Sequence, residues 1–125
     1  MTGAKSIPVA EMINHVESLC RSHNIGLFWC VRSDRSYSMR ALQEVMIAPI
    51  KSVVTYAVAL HEIGHLRGRH QDSRRCMVRE RWAWDWAKRN ALVWTPRMVR
   101  CAAASYADGH ADVVDQNWQP DEVPS

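Results

Sequence analysis

Residues 53–66 read VVTYAVALHEIGHL and join an apolar run to the motif His-Glu-x-x-His. The apolar residues before His61 predict a buried helix. On a helix, His61 and His65 are four positions apart, so both imidazoles leave the same face about 5–6 Å from each other and can bind one metal ion. Glu62 is the next residue round the helix and can reach a water molecule on that ion. The segment therefore predicts a buried helix that carries two metal ligands and a general base.

The motif supplies only part of a catalytic metal site. Catalytic zinc is usually bound by three protein side chains and keeps one position for water. We therefore expect zinc as the cofactor, His61 and His65 as two of its ligands, Glu62 as the catalytic residue, and a third ligand from elsewhere in the chain. An accidental pair of surface histidines is the alternative. However, two histidines and a glutamate on a buried helix would be costly to leave without partners.

Length and composition indicate one domain with a modest core, since the chain has 125 residues of which 47% are hydrophobic. We expect this domain to cover residues 1–118, followed by a polar tail over residues 119–125. The net charge of +3 is only mildly basic. Charge alone therefore permits a nucleic-acid binder but does not indicate one.

The cysteines indicate the cellular compartment. Four are present and none forms a C-x-x-C pair, a pattern that favours reduced thiols in the cytoplasm. The N-terminus lacks the uninterrupted apolar region of a signal peptide. The apolar run before His61 is too short to span a bilayer. We therefore expect a cytoplasmic protein without a membrane partner.

The first half of the chain predicts one helix and three strands. Apolar residues at helical spacing indicate a helix from Pro8 to about His23. The segments 27–31, 37–41 and 44–48 have the short apolar or alternating patterns of strands. Because the turn between the first two segments is short, we expect them to form a hairpin and the sheet to be antiparallel.

The second half predicts helices. Ser52 is a candidate N-cap for a helix that ends near Gly68. Tryptophan at every second position in residues 82–86 would suit a strand, but the segment 77–92 is rich in Ala, Arg, Lys and Glu and predicts a helix. Further helices are expected over residues 96–107 and 111–117. The fold class is therefore α+β, mainly helical, with a small antiparallel three-stranded sheet and a zincin-like active-site helix.

Three residues are candidates for the third metal ligand. His70 is close to the position of the third histidine in H-E-x-x-H-x-x-G-x-x-H, but it comes one residue early, and Gln71 occupies that position. Glu80 lies on the next predicted helix, which can pack against the motif helix so that the carboxylate meets both imidazoles. Asp85 is less favoured because Arg81 and Arg89, one turn to either side, offer it surface ion pairs. Glu80 is our predicted third ligand.

Two motifs together resemble the ImmA/IrrE family of zinc metallopeptidases. Residues 61–65 read HEIGH and match the family's H-E-x-G-H, while residues 80–87 read ERWAWDWA and partly match E-x-x-A-[DN]-x-[FW]-A. The resemblance covers roughly residues 8–92. It implies a zincin-like fold and places the family's third zinc ligand at Glu80. Trp84 departs from the pattern, because the family has Asp or Asn there.

The resemblance also implies an activity. An endopeptidase of this kind cleaves a protein substrate, typically a helix-turn-helix repressor in phages and other mobile elements. Glu62 would accept a proton from the zinc-bound water and pass it to the leaving amine. The oxyanion donor stays open among Tyr106, His70 and His110.

Two alternatives belong to other functional classes. The protein could be a non-catalytic interaction module that zinc stabilises. It could also be a regulatory protein that binds nucleic acid through the basic residues between positions 67 and 81. The oligomeric state, the substrate and the need for an activator do not follow from the sequence.

Overall fold

A computed structural model describes residues 7–31 and 35–109. Within this part of the chain the elements form an α+β fold that is mainly helical, as predicted. The helices and strands, in chain order, are α1 (Val9–Ser22), β1 (Gly26–Trp29), β2 (Tyr37–Met39), β3 (Glu44–Ile47), α2 (Val53–Arg67), α3 (Cys76–Asn90) and α4 (Pro96–Gly109), with a 3-10 helix (Arg40–Leu42) after β2. The predicted helix over residues 111–117 and the predicted tail lie outside the described residues.

The sheet is mixed, so the prediction of an antiparallel sheet with a β1–β2 hairpin is wrong. The strand order is β1-β3-β2, in which β1 runs parallel to β3 and β2 antiparallel to it. Residues 30–36 can span roughly 23 Å, whereas crossing over β3 requires two strand spacings of about 4.8 Å. The connection is therefore long enough to place β2 on the far side of β3. The central position suits β3 because Val45 and Ile47 are fully buried.

The N-terminus of α2 is closed by a reciprocal cap, which confirms Ser52 as the N-cap. The Ser52 hydroxyl accepts a hydrogen bond from the Thr55 amide, and the Thr55 hydroxyl accepts one from the Ser52 amide at 2.9 Å. This capping box satisfies amide groups that have no partner within the helix. The beginning of α2 is therefore fixed two turns before His61.

Helix α2 lies in the centre of the core. Its buried residues include Tyr56, Leu60 and Ile63, each without exposed surface. Helix α3 packs against it along a very close approach: a methyl group built on Gly64 would overlap the Ala83 carbonyl oxygen and lie 3.0 Å from its carbonyl carbon. The absence of a side chain at position 64 therefore lets the two backbones meet at this point.

The alternating tryptophans lie on a helix, as predicted. Trp82 and Trp84 are buried and Trp86 is half-buried, so α3 is covered on more than one side. None of the described helices has the length and apolar character needed to cross a membrane. None of the four cysteines forms a disulfide.

Candidate metal centre

The two histidines of the motif and Glu80 meet at one point between α2 and α3. The Nε2 atom of His61 lies 2.9 Å from Glu80 Oε1, and the Nε2 atom of His65 lies 2.7 Å from Glu80 Oε2. The two Nε2 atoms are 3.1 Å apart. The structure therefore brings together all three predicted ligands, with the ligating atoms turned toward one another.

These distances fit a single small metal ion. Ligand bonds of about 2.0–2.2 Å in a tetrahedral site separate neighbouring donor atoms by about 3.3 Å. The three separations are 2.7–3.1 Å, so a movement of a few tenths of an ångström would open the cluster to this spacing. Two imidazoles and one carboxylate are also a donor set found in catalytic zinc sites. The residues present therefore fit a divalent metal ion.

Gln71 fixes the orientation of the His65 ring. Its side-chain amide donates to the carbonyl oxygen of Arg79 at 2.9 Å and to that of Arg69 at 3.2 Å. Its Oε1 atom therefore faces His65 Nδ1, at 2.9 Å, as an acceptor. Because Nδ1 must then carry the proton, the lone pair of the neutral ring lies on Nε2, the atom that faces His61 and Glu80.

His61 is held by an aromatic ring and by two carboxylates. The indole of Trp84 stacks on the imidazole, with the ring centroids 4.2 Å apart. Burial alone would lower the pKa of His61, but contacts with Glu62 and Glu80 raise this pKa to about 9. Although burial favours the neutral carboxyl, both histidines hold the pKa of Glu80 well below its usual range. The Glu80 carboxylate is therefore ionised.

Glu62 lies beside this cluster without joining it. Its Oε2 atom is 3.5 Å from Nδ1 of His61, on the side of the ring away from the ligating Nε2 atom. The carboxylate reaches the same cavity as the three ligands. Glu62 is therefore a neighbour of the His61, His65 and Glu80 cluster and lines the same cavity.

An open cavity of about 450 Å³ gives access to the cluster. Strand β2, α2 and α3 all contribute to its wall. The lining residues are Tyr37, Ser38, Arg40, His61, Glu62, His65, Gln71, Arg79 and Glu80. The predicted catalytic residue and the predicted ligands therefore share one solvent-accessible space.

Two other ligand candidates lie elsewhere. Helix α2 ends at Arg67, and the extended backbone of Gly68 turns the chain away from the helix axis. His70 is consequently exposed, in a left-handed conformation with φ of 59°, and its ring packs 5.0 Å from that of Trp82. Asp85 pairs with Arg89 Nε at 2.9 Å, as expected, but its side chain is only 6% exposed. The prediction of a surface position for Asp85 is therefore wrong.

Three residues are the candidates for the oxyanion donor. His70 is exposed and does not line the cavity. The side chain of Tyr106 and the whole of His110 lie outside the described residues.

Several residues of the site were missed by the sequence analysis. Gln71 occupies the position of the third histidine in the longer motif, and this spacing is the sequence signal for its contact with His65. The contact of Trp84 with His61 depends on how α2 and α3 pack. Arg40 and Arg79 line the cavity only because β2 and α3 both flank α2, and no spacing rule connects them.

In the metal-free protein we expect the free energy of unfolding to decrease as the pH rises from about 6.5 to about 9. The pKa of His61 is raised to about 9 by folding, from an ordinary value of 6.5, so the folded protein binds more protons than the unfolded chain in this interval. This stabilisation is present below pH 6.5 and is lost above pH 9. Urea denaturation of chelator-treated protein across this range measures it.

A His61→Gln variant is the control for this pH dependence, and its stability should vary less over the same interval. Equal pH dependence in the two proteins would contradict the assignment to His61.

Comparisons with protein-family models, curated proteins and solved structures gave no match. The resemblance to ImmA/IrrE proteins therefore remains an expectation based on the two motifs. The geometry supports a cluster of His61, His65 and Glu80 that could hold a metal ion.

Proposed function

We propose that this protein is a zinc-dependent endopeptidase. One observation carries the proposal: His61, His65 and Glu80 converge beside Glu62 in a cavity that is open to solvent. Structural zinc sites are closed by four protein ligands, whereas catalytic sites have three and an open position. Among the described residues, three ligands lie beside an open cavity, and this favours catalysis over a purely structural metal.

Each residue of the site has a separate role in the proposed mechanism. A zinc ion at this position would act as a Lewis acid toward the scissile carbonyl and would acidify a water molecule. His61, His65 and Glu80 would hold the ion, with Gln71 keeping the His65 ring in the correct tautomer. The Glu62 carboxylate would accept the proton of the attacking water and deliver it to the leaving amine.

A peptide substrate is supported by the edge of the sheet. Strand β2 pairs only with β3 among the described strands, so no described strand pairs with its other backbone edge. Tyr37 and Ser38 of this strand line the cavity. An extended peptide can add to such an edge through main-chain hydrogen bonds. This arrangement would carry a peptide bond past the metal cluster.

The nature of the substrate is proposed by analogy alone. The resemblance to ImmA/IrrE proteins suggests a transcriptional repressor with a helix-turn-helix domain. A cytoplasmic location, where repressors act, belongs to the same proposal.

Two arginines of the basic segment make contacts within the protein. Arg67 donates to the carbonyl oxygen of His23 at 2.6 Å and to the side chain of Gln43, while Arg69 lies over the Trp82 ring. These guanidinium groups therefore have separate intramolecular partners.

Replacing Glu62 by glutamine should abolish proteolysis and leave zinc bound. Loss of a general base typically lowers the rate by about 10²–10⁴-fold, and Glu62 is not among the three converging ligands. Zinc-loaded wild type and variant would be incubated with a proteome-derived peptide library, and new termini would be identified by mass spectrometry. Elemental analysis of both proteins measures the zinc content.

The matched control is Glu11→Gln, the same change at an exposed position on α1. This variant should cleave as the wild type does. Undiminished cleavage by Glu62→Gln would refute the assigned mechanism. Zinc-loaded wild type that cleaves neither peptides nor folded repressors would instead favour the non-catalytic interaction module.

A further inference from the structure

Two guanidinium groups lie in the wall of the cavity that His61, His65 and Glu80 line. Arg40 directly follows β2, and Arg79 lies in the first turn of α3, next to Glu80. Arg40 donates from Nη1 to the carbonyl oxygen of Gln71 at 2.7 Å, and Arg79 donates from Nη1 to that of Ser73 at 2.6 Å. Each guanidinium is therefore anchored to the main chain and keeps donors for another acceptor, because an arginine has five N–H groups.

These two positive charges have no carboxylate partner among the described residues. The acidic groups of the cavity, Glu62 and Glu80, both contact imidazoles of the metal cluster. Within residues 7–31 and 35–109, the guanidinium groups of Arg40 and Arg79 donate to neutral carbonyl groups. The wall therefore carries two positive charges that nothing within the described part of the chain neutralises.

Arg40 is exposed and Arg79 is half-buried, and a guanidinium group without a counter-ion can bind an incoming anion. Its planar donors match the two oxygens of a carboxylate, and hydrogen bonds between charged groups are about twice as strong as neutral ones. Anchoring to the main chain reduces the conformational entropy that is lost on binding. The two guanidinium groups can therefore bind a carboxylate of a peptide substrate.

We propose that Arg40 and Arg79 determine substrate specificity by binding the carboxylate of an Asp or Glu side chain near the cleaved bond. This inference rests on the proposed peptidase function, since it concerns the substrate of the same site. Arg40 approaches the cavity from the sheet side and Arg79 from α3. A peptide that follows the edge of β2 would pass between these elements and present its acidic side chain to them.

The binding experiment uses zinc-loaded Glu62→Gln protein, so that the peptides stay intact. Two fluorescein-labelled decapeptide libraries have either Glu or Gln at the central position and no acidic residue elsewhere. Fluorescence anisotropy should show about tenfold tighter binding of the Glu library. When Arg40→Gln and Arg79→Gln are added to the Glu62→Gln protein, the two libraries should bind with equal affinity. Elemental analysis for zinc checks that His61, His65 and Glu80 still bind the metal.

The matched control removes the same two charges from α4 through Arg97→Gln and Arg100→Gln, outside the cavity. This variant should keep the preference for Glu. Equal binding of the two libraries, or an equal loss of preference in the control, would overturn the proposal. Displacement of the Glu library by a short DNA duplex at equal concentration would also overturn it, in favour of a nucleic-acid site.

Cleavage of the same libraries by zinc-loaded wild type separates this proposal from the peptidase function. Cleavage of both libraries at equal rates would overturn the specificity and leave the peptidase in place. A binding preference for Glu that depends on Arg40 and Arg79, without any cleavage, would support the carboxylate site and refute the peptidase.

Discussion

Replacing Glu80 by alanine should strip zinc from the protein. Glu80 contributes both of its carboxylate oxygens to the cluster, one facing each histidine. Loss of an outer-shell partner of a metal ligand typically lowers affinity about 10–100-fold, so loss of a direct ligand should exceed 100-fold. After dialysis against a mild chelator, elemental analysis should find near-stoichiometric zinc in the wild type and almost none in the variant.

His70→Ala is the decisive control for the third ligand. His70 is exposed and packs on Trp82, away from the cluster, so this variant should keep its zinc. If Glu80→Ala kept zinc at full affinity, the assignment of Glu80 as the third ligand would be wrong. Loss of zinc from His70→Ala would show that the loop after α2 rearranges to bring this histidine to the metal.

The cluster of His61, His65 and Glu80 could be predicted because its geometry is mostly local. The spacing of His61 and His65 follows from the helical repeat, and the cap at Ser52 keeps the helix in place. The prediction of Glu80 as the third ligand required one further assumption, namely that the next helix packs on the motif helix. The structure confirms it through the close approach of α3 at Gly64.

The errors have physical causes that lie outside local patterns. Alternation of apolar residues indicates a strand but says nothing about its neighbours, so the insertion of β3 between β1 and β2 could not be inferred. Gly68 redirects the chain so that Gln71, and not His70, reaches His65. Arg40 and Arg79 come together through tertiary packing of elements far apart in the chain.

Replacing Gly64 by alanine should destabilise the fold and displace the metal site together. In an ordinary helix this change is favourable by about 1 kcal/mol. Here the added methyl would overlap the Ala83 carbonyl oxygen and lie 3.1 Å from its Cα atom, and overpacking a core costs about 1–3 kcal/mol or more. We expect a net loss of about 2 kcal/mol in urea denaturation. Zinc affinity should fall at least tenfold, because α3 must move away from α2 and takes Glu80 with it.

The obstacle at Gly64 is the main chain of α3, so shortening the facing side chain should not relieve it. The double variant Gly64→Ala and Ala83→Gly should therefore remain destabilised. Gly26→Ala is the matched control, since its new methyl would meet the flexible side chain of Glu44 at 2.9 Å and the Phe28 ring at an ordinary contact distance of 3.5 Å. This variant should leave zinc affinity unchanged. Full zinc affinity in Gly64→Ala would show that the packing of α3 does not set the position of Glu80. If Gly64→Ala loses zinc affinity and Gly26→Ala does not, the glycine of the His-Glu-x-x-His motif acts through helix packing. Position 64 has no side chain that could bind the metal.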